Sequence, residues 1–488
     1  MLLAVLVASL LVAPSATSTR ATDPHALVDR AIAAMQRTTS LRDTRALRLT
    51  GIQHEFMFGN AERAEGPWRV FYSQFTELRD PASDAFRRTD RTITPTGTMS
   101  PERVTVLADS VIANRSGTRE VGSSHAAYED AIDRVDASPD RALLLAAASK
   151  ALALDGKVTR FSITFDVVSF PWRNGRMKIE ISRESHLPNA VEIVREYPDN
   201  FRWAPFGLVT MRADYVDWTV QPSGAYWPMQ QKISLNGEPI RDITLASVSA
   251  ESAAAAPDSF AVSDSARAQY VANSKLNFSK FRFGARGQPT ELKPGIVRVP
   301  DQWVMTLVKQ ADGVVIFESH ISGQYLHEVI DEAHRRWPGA PIKAMVLSSD
   351  PWAHLGGFGE AVKLGIPIYV NARSVPFLAK LARNANPKFV PVSGKTVIGT
   401  GDNAIELYPV GGPYAERMTM AYFPHYRLLY GADLVFQNRG PDGKPTTGFL
   451  TTEVTDLRAA VEREKLAVDS LFCVQNYGPF IWSDFIAK

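Results

Sequence analysis

The stretch that decides the fold is Met345-Val-Leu-Ser-Ser-Asp-Pro-Trp-Ala-His354-Leu-Gly-Gly357. An apolar run over Lys343 to Leu347 predicts a buried strand, and a short polar loop follows it. The histidine and the Gly-Gly pair then open a helix, which leads to a second apolar strand at Ile366-Pro-Ile-Tyr-Val370. Strand, loop, helix and strand in this order predict a layered α/β domain.

Strands and helices continue to alternate on both sides of this stretch. Trp303 to Lys309 and Gly313 to Glu318 predict a hairpin, and Ser322 is placed to cap a helix that ends at Pro338-Gly339. We therefore predict that one α/β domain occupies residues 290–488.

The chain before residue 290 has a different, β-rich texture. Short runs such as Lys178-Ile-Glu-Ile-Ser182 alternate apolar and polar residues, which is typical of half-buried strands. Turn signals such as Asn174-Gly175 and Asn236-Gly237 divide these runs. The pattern predicts a large antiparallel sheet.

Two helices are expected beside this sheet. Asp23 to Met35 is amphipathic, and Arg141 to Leu154 is rich in Ala and Leu. Glu251 to Ala266 has little periodicity and indicates a connecting segment. These features predict a first domain over residues 23–285.

The first residues and the overall charge bear on where the protein acts. The apolar run Leu2 to Ala13, followed by small residues, predicts a signal peptide over residues 1–18, with a buried amino-terminal helix as the alternative. We therefore expect a secreted or periplasmic bacterial protein with no transmembrane segment. A net charge of +2 gives no basis for nucleic-acid binding. Cys473 is the only cysteine, so no intramolecular disulfide can form.

The deciding stretch resembles the metallo-β-lactamase superfamily, whose members carry T-H-x-H-x-D-H-x-G-G at this junction. On that pattern Ser349 takes the place of the first histidine, and Pro351 takes that of the second. Ala353 replaces the aspartate, and only the last histidine remains, as His354.

Further landmarks of the resembled family follow in the expected order. Residues 406–424 resemble the segment that brings the next histidine ligand, and Tyr414 stands in its place. Residues 427–436 match the strand and loop that deliver a metal-bridging aspartate, which is retained as Asp433. Tyr477 stands where the last motif has a histidine.

The resemblance therefore implies a degenerate zinc site. Five vestigial ligand positions carry other residues, namely Ser349, Pro351, Ala353, Tyr414 and Tyr477. A catalytic zinc normally has three protein ligands, and without the metal no hydroxide forms at neutral pH. We therefore expect no cofactor and an inactive pseudoenzyme. The alternative is a single weakly held zinc at the retained candidates His354, Asp433 and Asp350.

Two structural alternatives remain open for the same residues. His354 can serve as a structural histidine at a helix start, hydrogen-bonded to Asp433. Trp352, Tyr414 and Tyr477 can line a ligand pocket where the metals would have been, or can fill that space to restore packing.

The β-rich region also carries a resemblance. The segment Gly224-Ala-Tyr-Trp-Pro228, a strand, and Asn236-Gly-Glu-Pro239 are similar to half-barrel domains of bacterial lipoprotein carriers. The expected fold is thus an α+β chain, with an antiparallel half-barrel-like domain before an αββα metallo-β-lactamase-like sandwich.

Three functions are consistent with this organisation. The first is a non-catalytic binding or scaffold protein for an unknown small molecule or protein. The second is a hydrolase with a remodelled site that holds one metal or none. The third is a carrier of lipid-like ligands through the first domain.

Overall fold

The computed structural model describes residues 23–36, 40–57, 63–81, 83–93, 97, 99–197, 200, 207–222, 224, 226–274, 287–300, 303–351, 354–382, 385–412, 415–439, 445–449, 451–475 and 478–487. The expected signal peptide lies outside these residues. Within them, no helix is both long enough and apolar enough to cross a bilayer.

The amino-terminal sheet domain contains one antiparallel sheet of 13 strands. Its strands are β1 Ala46–Phe56, β2 Val70–Asp80, β3 Ala85–Ile93, β4 Arg103–Ala108, β5 Val111–Ser116, β6 Arg119–Gly122, β7 Ala153–Arg160, β8 Ile163–Trp172, β9 Gly175–Ser182, β10 Pro188–Glu196, β11 Leu208–Val220, β12 Tyr226–Leu235 and β13 Glu238–Glu251. The spatial order runs from β6 back to β1, then from β13 back to β7. The predicted antiparallel sheet is confirmed, whereas its half-barrel form stays a prediction.

In the part of the chain that the structure describes, four helices accompany this sheet: α1 Pro24–Met35, α2 His125–Asp136, α3 Pro139–Ala148 and α4 Asp264–Asn273. Helix α1 begins with a side-chain cap from Asp23 and buries one face, as its periodicity predicts. Buried side chains of α1, α2 and α3 share one apolar cluster with the sheet.

The prediction of a helix over Arg141 to Leu154 is wrong in its second half. Helix α3 ends at Ala148, and Ala153–Arg160 forms strand β7 at one edge of the sheet. Pairing with β8 therefore overrides the helical preference of Ala and Leu. Helix α2 was not predicted, because charged residues interrupt its apolar spacing.

The carboxy-terminal sandwich domain is built from two sheets and a hairpin. The first sheet contains β14 Thr290–Lys293, β15 Ile296–Val299, β16 Met305–Gln310, β17 Gly313–Phe317, β18 Ile342–Leu347, β19 Ile368–Asn371 and β20 Phe389–Val392. The second contains β21 Thr396–Ile398, β22 Ile405–Val410, β23 Met418–Phe423, β24 Leu428–Tyr430, β27 Ser470–Phe472 and β28 Phe480–Ile481, and the hairpin is β25 Gln437–Arg439 with β26 Pro445–Phe449.

Five helices of this domain fall within the described residues: α5 Gly323–Arg336, α6 Phe358–Lys363, α7 Val375–Ala382, α8 Thr451–Arg463 and α9 Trp482–Ile486. Successive side chains of the first sheet point to opposite faces, so that Ile316 and Phe317 belong to two different apolar cores. One core packs against α5, α6 and α7, and the other packs against the second sheet together with α8 and α9. The predicted layering of helices and two sheets is confirmed.

Local predictions in this domain also hold. The hairpin of β16 and β17 forms, and Ser322 caps α5 by accepting a hydrogen bond from the amide of Tyr325. Strands β17, β18 and β19 are parallel neighbours, so their carboxyl ends lie at one edge of the sheet. The signature loop, defined as residues 348–357, begins at this edge.

Candidate functional site

The signature loop leaves β18 and reaches helix α6 through a tight approach to the loop after β17. A Cβ atom added at Gly356 would lie 2.2 Å from the backbone carbon of Ile321. The amide of Gly357 donates a 2.6 Å hydrogen bond to the carbonyl of Ser319. Glycine is therefore required where the two loops touch, and the Gly-Gly pair has a structural explanation.

The loop after β17 has an unusual backbone. Glu318 has a φ of 73° and Ile321 has a φ of 67°, which is the left-handed region. For a β-branched residue this region is unfavourable, and such conformations cost about 1–3 kcal/mol each. The contacts of the buried side chains Glu318 and His320 therefore help to hold this loop in shape.

His354 lies between two carboxylates at the centre of the site. Its Nδ1 is 2.8 Å from Oε2 of Glu318, and its Nε2 is 2.6 Å from Oδ2 of Asp433. The imidazole is 2% exposed, so water does not compete for these contacts. With an acceptor at each nitrogen, the ring is an imidazolium that donates both of its hydrogen bonds.

The electrostatics agree with this assignment. Burial alone would lower the pKa of His354, but the charges of Asp433 and Glu318 outweigh burial and raise that pKa to about 10. Burial would raise the pKa of Glu318, whereas the charge of His354 holds it at about 2. Both groups are therefore ionised at neutral pH.

The remaining oxygens of the two carboxylates are also bonded. Tyr430 donates from its hydroxyl to Oε1 of Glu318 at 2.7 Å, and Gln475 Nε2 lies 3.4 Å from Oδ1 of Asp433. Tyr430 belongs to the second sheet, while Glu318 follows a strand of the first. This Tyr430–Glu318–His354–Asp433 network thus joins the two sheets through buried polar groups.

A further histidine lies beside this network. The ring of His320 is 4.8 Å from that of His354 and 6.0 Å from that of Trp303, measured between centroids. Ligand atoms of Glu318, His320 and His354 all lie within 4.8 Å of one another. Among the described residues, this group has the donors for a metal ion.

Asp350 belongs to a separate ion pair. Its Oδ2 lies 2.8 Å from Nη2 of Arg417. Arg417 is the residue directly before β23. Burial raises the pKa of Asp350, and Arg417 opposes this effect. Arg417 Nη1 also donates to Oε1 of Glu65 at 2.7 Å, so the guanidinium bridges the signature loop and the amino-terminal sheet domain.

Two more ion pairs cross the same domain boundary. Arg63 lies 2.7 Å from Glu416, and Lys380 of α7 lies 3.2 Å from Glu238 at the start of β13. A cavity of about 740 Å³ lies between the two domains and is lined by Trp68 of the sheet domain and by residues of α7. The sandwich domain therefore presents the side near its signature loop to the sheet domain.

The structure brings together only part of the predicted site. His354 and Asp433 are in contact, whereas Asp350 is paired with Arg417. Ser349 and Pro351 are buried in the signature loop. Trp352, Ala353, Tyr414 and Tyr477 lie outside the described residues, so the proposed aromatic pocket stays a prediction.

Sequence reasoning missed Glu318, His320, Tyr430 and Arg417. A usable signal existed for the first two, since Glu318-Ser-His320 directly follows a predicted strand that neighbours the signature strand. No local signal marks Tyr430 or Arg417, because each contacts the site only through folding of the second sheet.

The retained residues do not fit the two-metal site that the resemblance implies. Both nitrogens of His354 are occupied by carboxylates, and Asp350 is neutralised by an arginine. Serine at 349 and proline at 351 leave two further positions without an imidazole donor.

Comparison with known proteins gives a likeness to solved structures only. No family model matches the chain, and no curated protein matches it. The inverting sec-alkylsulfatase Pisa1 from Pseudomonas sp. is 16% identical, with 41% of this chain and 40% of that chain covered and a TM-score of 0.32.

Two smaller solved structures are similar to a comparable extent. A metallo-β-lactamase from Pontibacter korlensis is 15% identical, covering 41% of this chain and 97% of its own, with a TM-score of 0.33. One from Erythrobacter litoralis is 14% identical, covering 42% and 95%, with a TM-score of 0.33. At these TM-scores the likeness decides nothing about activity, which depends on the contacts of the site.

Proposed function

We propose that the sandwich domain is a non-catalytic module of metallo-β-lactamase-like fold, and that it serves as a scaffold for the sheet domain. The observation that carries this proposal is the Tyr430–Glu318–His354–Asp433 network. In this network the two retained ligand residues, His354 and Asp433, bind each other. A metal ligand needs a free lone pair, and each ring nitrogen of His354 instead faces a carboxylate oxygen, at 2.8 Å and 2.6 Å.

The Arg417 bridge supports the scaffold role. This side chain is 5% exposed and contacts Asp350 of the signature loop and Glu65 of the sheet domain. A region that would admit substrate in a hydrolase is here used for contact between domains. The protein's own cations, His354 and Arg417, supply the positive charge next to these carboxylates.

Metal analysis tests the proposal. We expect full-length protein purified without chelator to hold far less than one zinc, iron or manganese ion per chain, and His354→Ala to leave that content unchanged. Ester, lactam and lactone substrates should not be hydrolysed above the rate in buffer. Stoichiometric metal that His354→Ala abolishes would overturn the proposal.

The second candidate is a hydrolase with one metal ion, and the buried group of Glu318, His320 and His354 favours it. Such an ion would lower the pKa of a bound water toward 7. His354 must first lose a proton and one carboxylate partner. Under this candidate Glu318→Gln and His320→Ala each abolish metal uptake, whereas His327→Ala on the surface of α5 has no effect.

Secretion remains part of the proposal. It rests on the apolar run Leu2 to Ala13 and the small residues that follow it. Expression of the full chain in a bacterium, followed by fractionation and mass determination of the mature amino terminus, tests it. Intact protein that stays in the cytoplasm would contradict this localisation.

A further inference from the structure

A cavity of about 650 Å³ lies in the sheet domain, between strands β1 to β5 and helix α2. Its volume is within the range of small-molecule sites, which is about 300–1,000 Å³. Phe56, Phe71 and Ile112 provide apolar surface on the sheet side. Arg134 and Asp130 line it from α2, so the cavity has both apolar and charged walls.

Arg134 is the side chain of this cavity with the poorest set of partners. It is 14% exposed, and its nearest carboxylate oxygen is Oδ2 of Asp130 at 3.5 Å. Its Nε is buried without a hydrogen-bond partner among the described residues. A guanidinium has five N–H donors, and buried donors without acceptors cost free energy.

The neighbouring arginines already have acceptors. Arg88 donates to Gln53 at 3.0 Å and Arg241 donates to Asp130 at 2.9 Å. Arg79 donates to Glu77 at 2.6 Å. Arg134 alone in this group lacks a bonded acceptor within the part of the chain that the structure describes.

Arg134 also lies close to other guanidiniums. Four guanidiniums, those of Arg79, Arg88, Arg134 and Arg241, interact with five carboxylates, those of Glu55, Glu77, Asp90, Asp130 and Asp133. Burial and then the charge of Arg134 lower the pKa of Arg88 to about 9. Burial and then the charge of Arg241 lower the pKa of Arg134. An oxyanion in contact with Arg134 would offset the repulsion between this side chain and Arg241.

We propose that the cavity binds a compact organic anion, whose carboxylate or phosphate group is held by Arg134. Guanidinium forks match both oxyanions with two parallel hydrogen bonds. The aromatic and aliphatic wall fits a short apolar body. Charged side chains on β3 and on α2 leave no continuous apolar surface for a long acyl chain. The site lies in the sheet domain and is independent of whether the sandwich domain holds a metal.

Calorimetric titration of the full-length protein tests the proposal with defined probes. Benzoate and phenyl phosphate represent the two oxyanions, benzyl alcohol is the neutral analogue, and dodecanoate represents an acyl chain. We expect at least one aromatic anion to bind and to raise the melting temperature, and benzyl alcohol to do neither. The tighter of the two anions identifies the oxyanion.

Variants separate binding from folding. Arg134→Gln should weaken binding at least about tenfold, because it removes the charge-assisted hydrogen bonds to the oxyanion. Arg134→Lys should retain part of it. Without ligand, Arg134→Gln should melt at the same temperature as the wild type or higher, since it removes a poorly satisfied buried cation. Arg458→Gln on the surface of α8 is the matched control and should bind as the wild type does.

Three outcomes would overturn the proposal. They are no binding of either aromatic anion at millimolar concentration, equal binding by Arg134→Gln, and dodecanoate binding that does not depend on Arg134. The last outcome would instead support the lipid-carrier hypothesis. None of them changes the metal content, so failure here is distinguishable from failure of the scaffold proposal.

Discussion

His354 shows how one residue can keep its place in a signature while its chemistry differs. Its ring lies between Glu318 and Asp433, is shielded from water, and has a pKa that these two carboxylates raise to about 10 against the effect of burial. Breaking a buried ion pair by removing one partner typically costs about 3–5 kcal/mol, because the other charge stays buried. The residue therefore stabilises the fold at the position where the resembled family uses a ligand.

The pH dependence of stability follows from this arrangement. The folded pKa of His354, about 10, lies above its unfolded value of about 6.5, so its contribution is complete below pH 6.5 and is lost as pH rises through 10. The folded pKa of Glu318, about 2, lies below its unfolded value of about 4.5, so its contribution is complete above pH 4.5 and is lost as pH falls through 2. We expect the urea midpoint to fall between pH 7 and pH 10.5.

Nuclear magnetic resonance of labelled histidine checks the same point directly. The ring signals of His354 should titrate above pH 9. The variant His354→Gln should lose about 3–5 kcal/mol of unfolding free energy at pH 7, and His327→Gln should lose little. A His354 ring that titrates below pH 7 would contradict the imidazolium assignment.

At the scale of elements, the junction between the signature loop and the loop after β17 depends on Gly356. We expect Gly356→Ala to destabilise the protein by about 1–3 kcal/mol or more, because the new methyl group overlaps backbone atoms of Ile321. Gly359, one turn further in α6, has no neighbour within 4 Å of an added Cβ.

Gly359→Ala is therefore the matched control, and it should stabilise α6 by about 0.5–1 kcal/mol. Urea denaturation of the two variants measures both effects. Equal effects of the two substitutions would show that the close approach to Ile321 is not what requires glycine at 356.

The strands and helices differ in how well the sequence predicts them. The strand, the glycines and the helix around the signature loop follow from local periodicity and turn chemistry, and they are where we expected them. Helix α2 and strand β7 were missed because sheet pairing and long-range packing decide them. Local pattern was thus sufficient where it agreed with the tertiary fold.

Site partners were harder to predict than elements. His354 and Asp433 were expected to be in contact as one of two alternatives, because both positions were named by the resemblance. Glu318 precedes His354 by 36 residues, and Glu65 precedes Arg417 by 352. A single sequence does not give the spatial distance between residues so far apart in the chain, so Tyr430 and the Arg417 bridge could not be predicted. The position of Glu318 after a strand that neighbours the signature strand was a usable signal.

At the scale of the whole molecule, the Arg417 bridge should couple the two domains. Glu65→Gln removes one of the two acidic partners of a nearly buried guanidinium, and we expect a loss of about 1–3 kcal/mol. Arg63→Gln removes an ion pair whose arginine is 52% exposed, and the loss should be below about 1 kcal/mol.

Calorimetry and small-angle scattering measure this coupling. Glu65→Gln should separate the melting of the two domains and broaden the distribution of distances, while Arg63→Gln should change neither. If Glu65→Gln leaves a single transition at the wild-type temperature, the bridge does not hold the domains together.

The internal pairing of the Tyr430–Glu318–His354–Asp433 network determines how the stability of the protein responds to zinc concentration. A protein that folds around a bound ion loses stability when that ion becomes scarce, since the binding free energy is part of its folding free energy. Here the positive charge beside Glu318 and Asp433 is covalently part of the chain. We therefore expect equal melting temperatures in zinc and in chelator, which would suit the protein to surroundings where zinc is withheld.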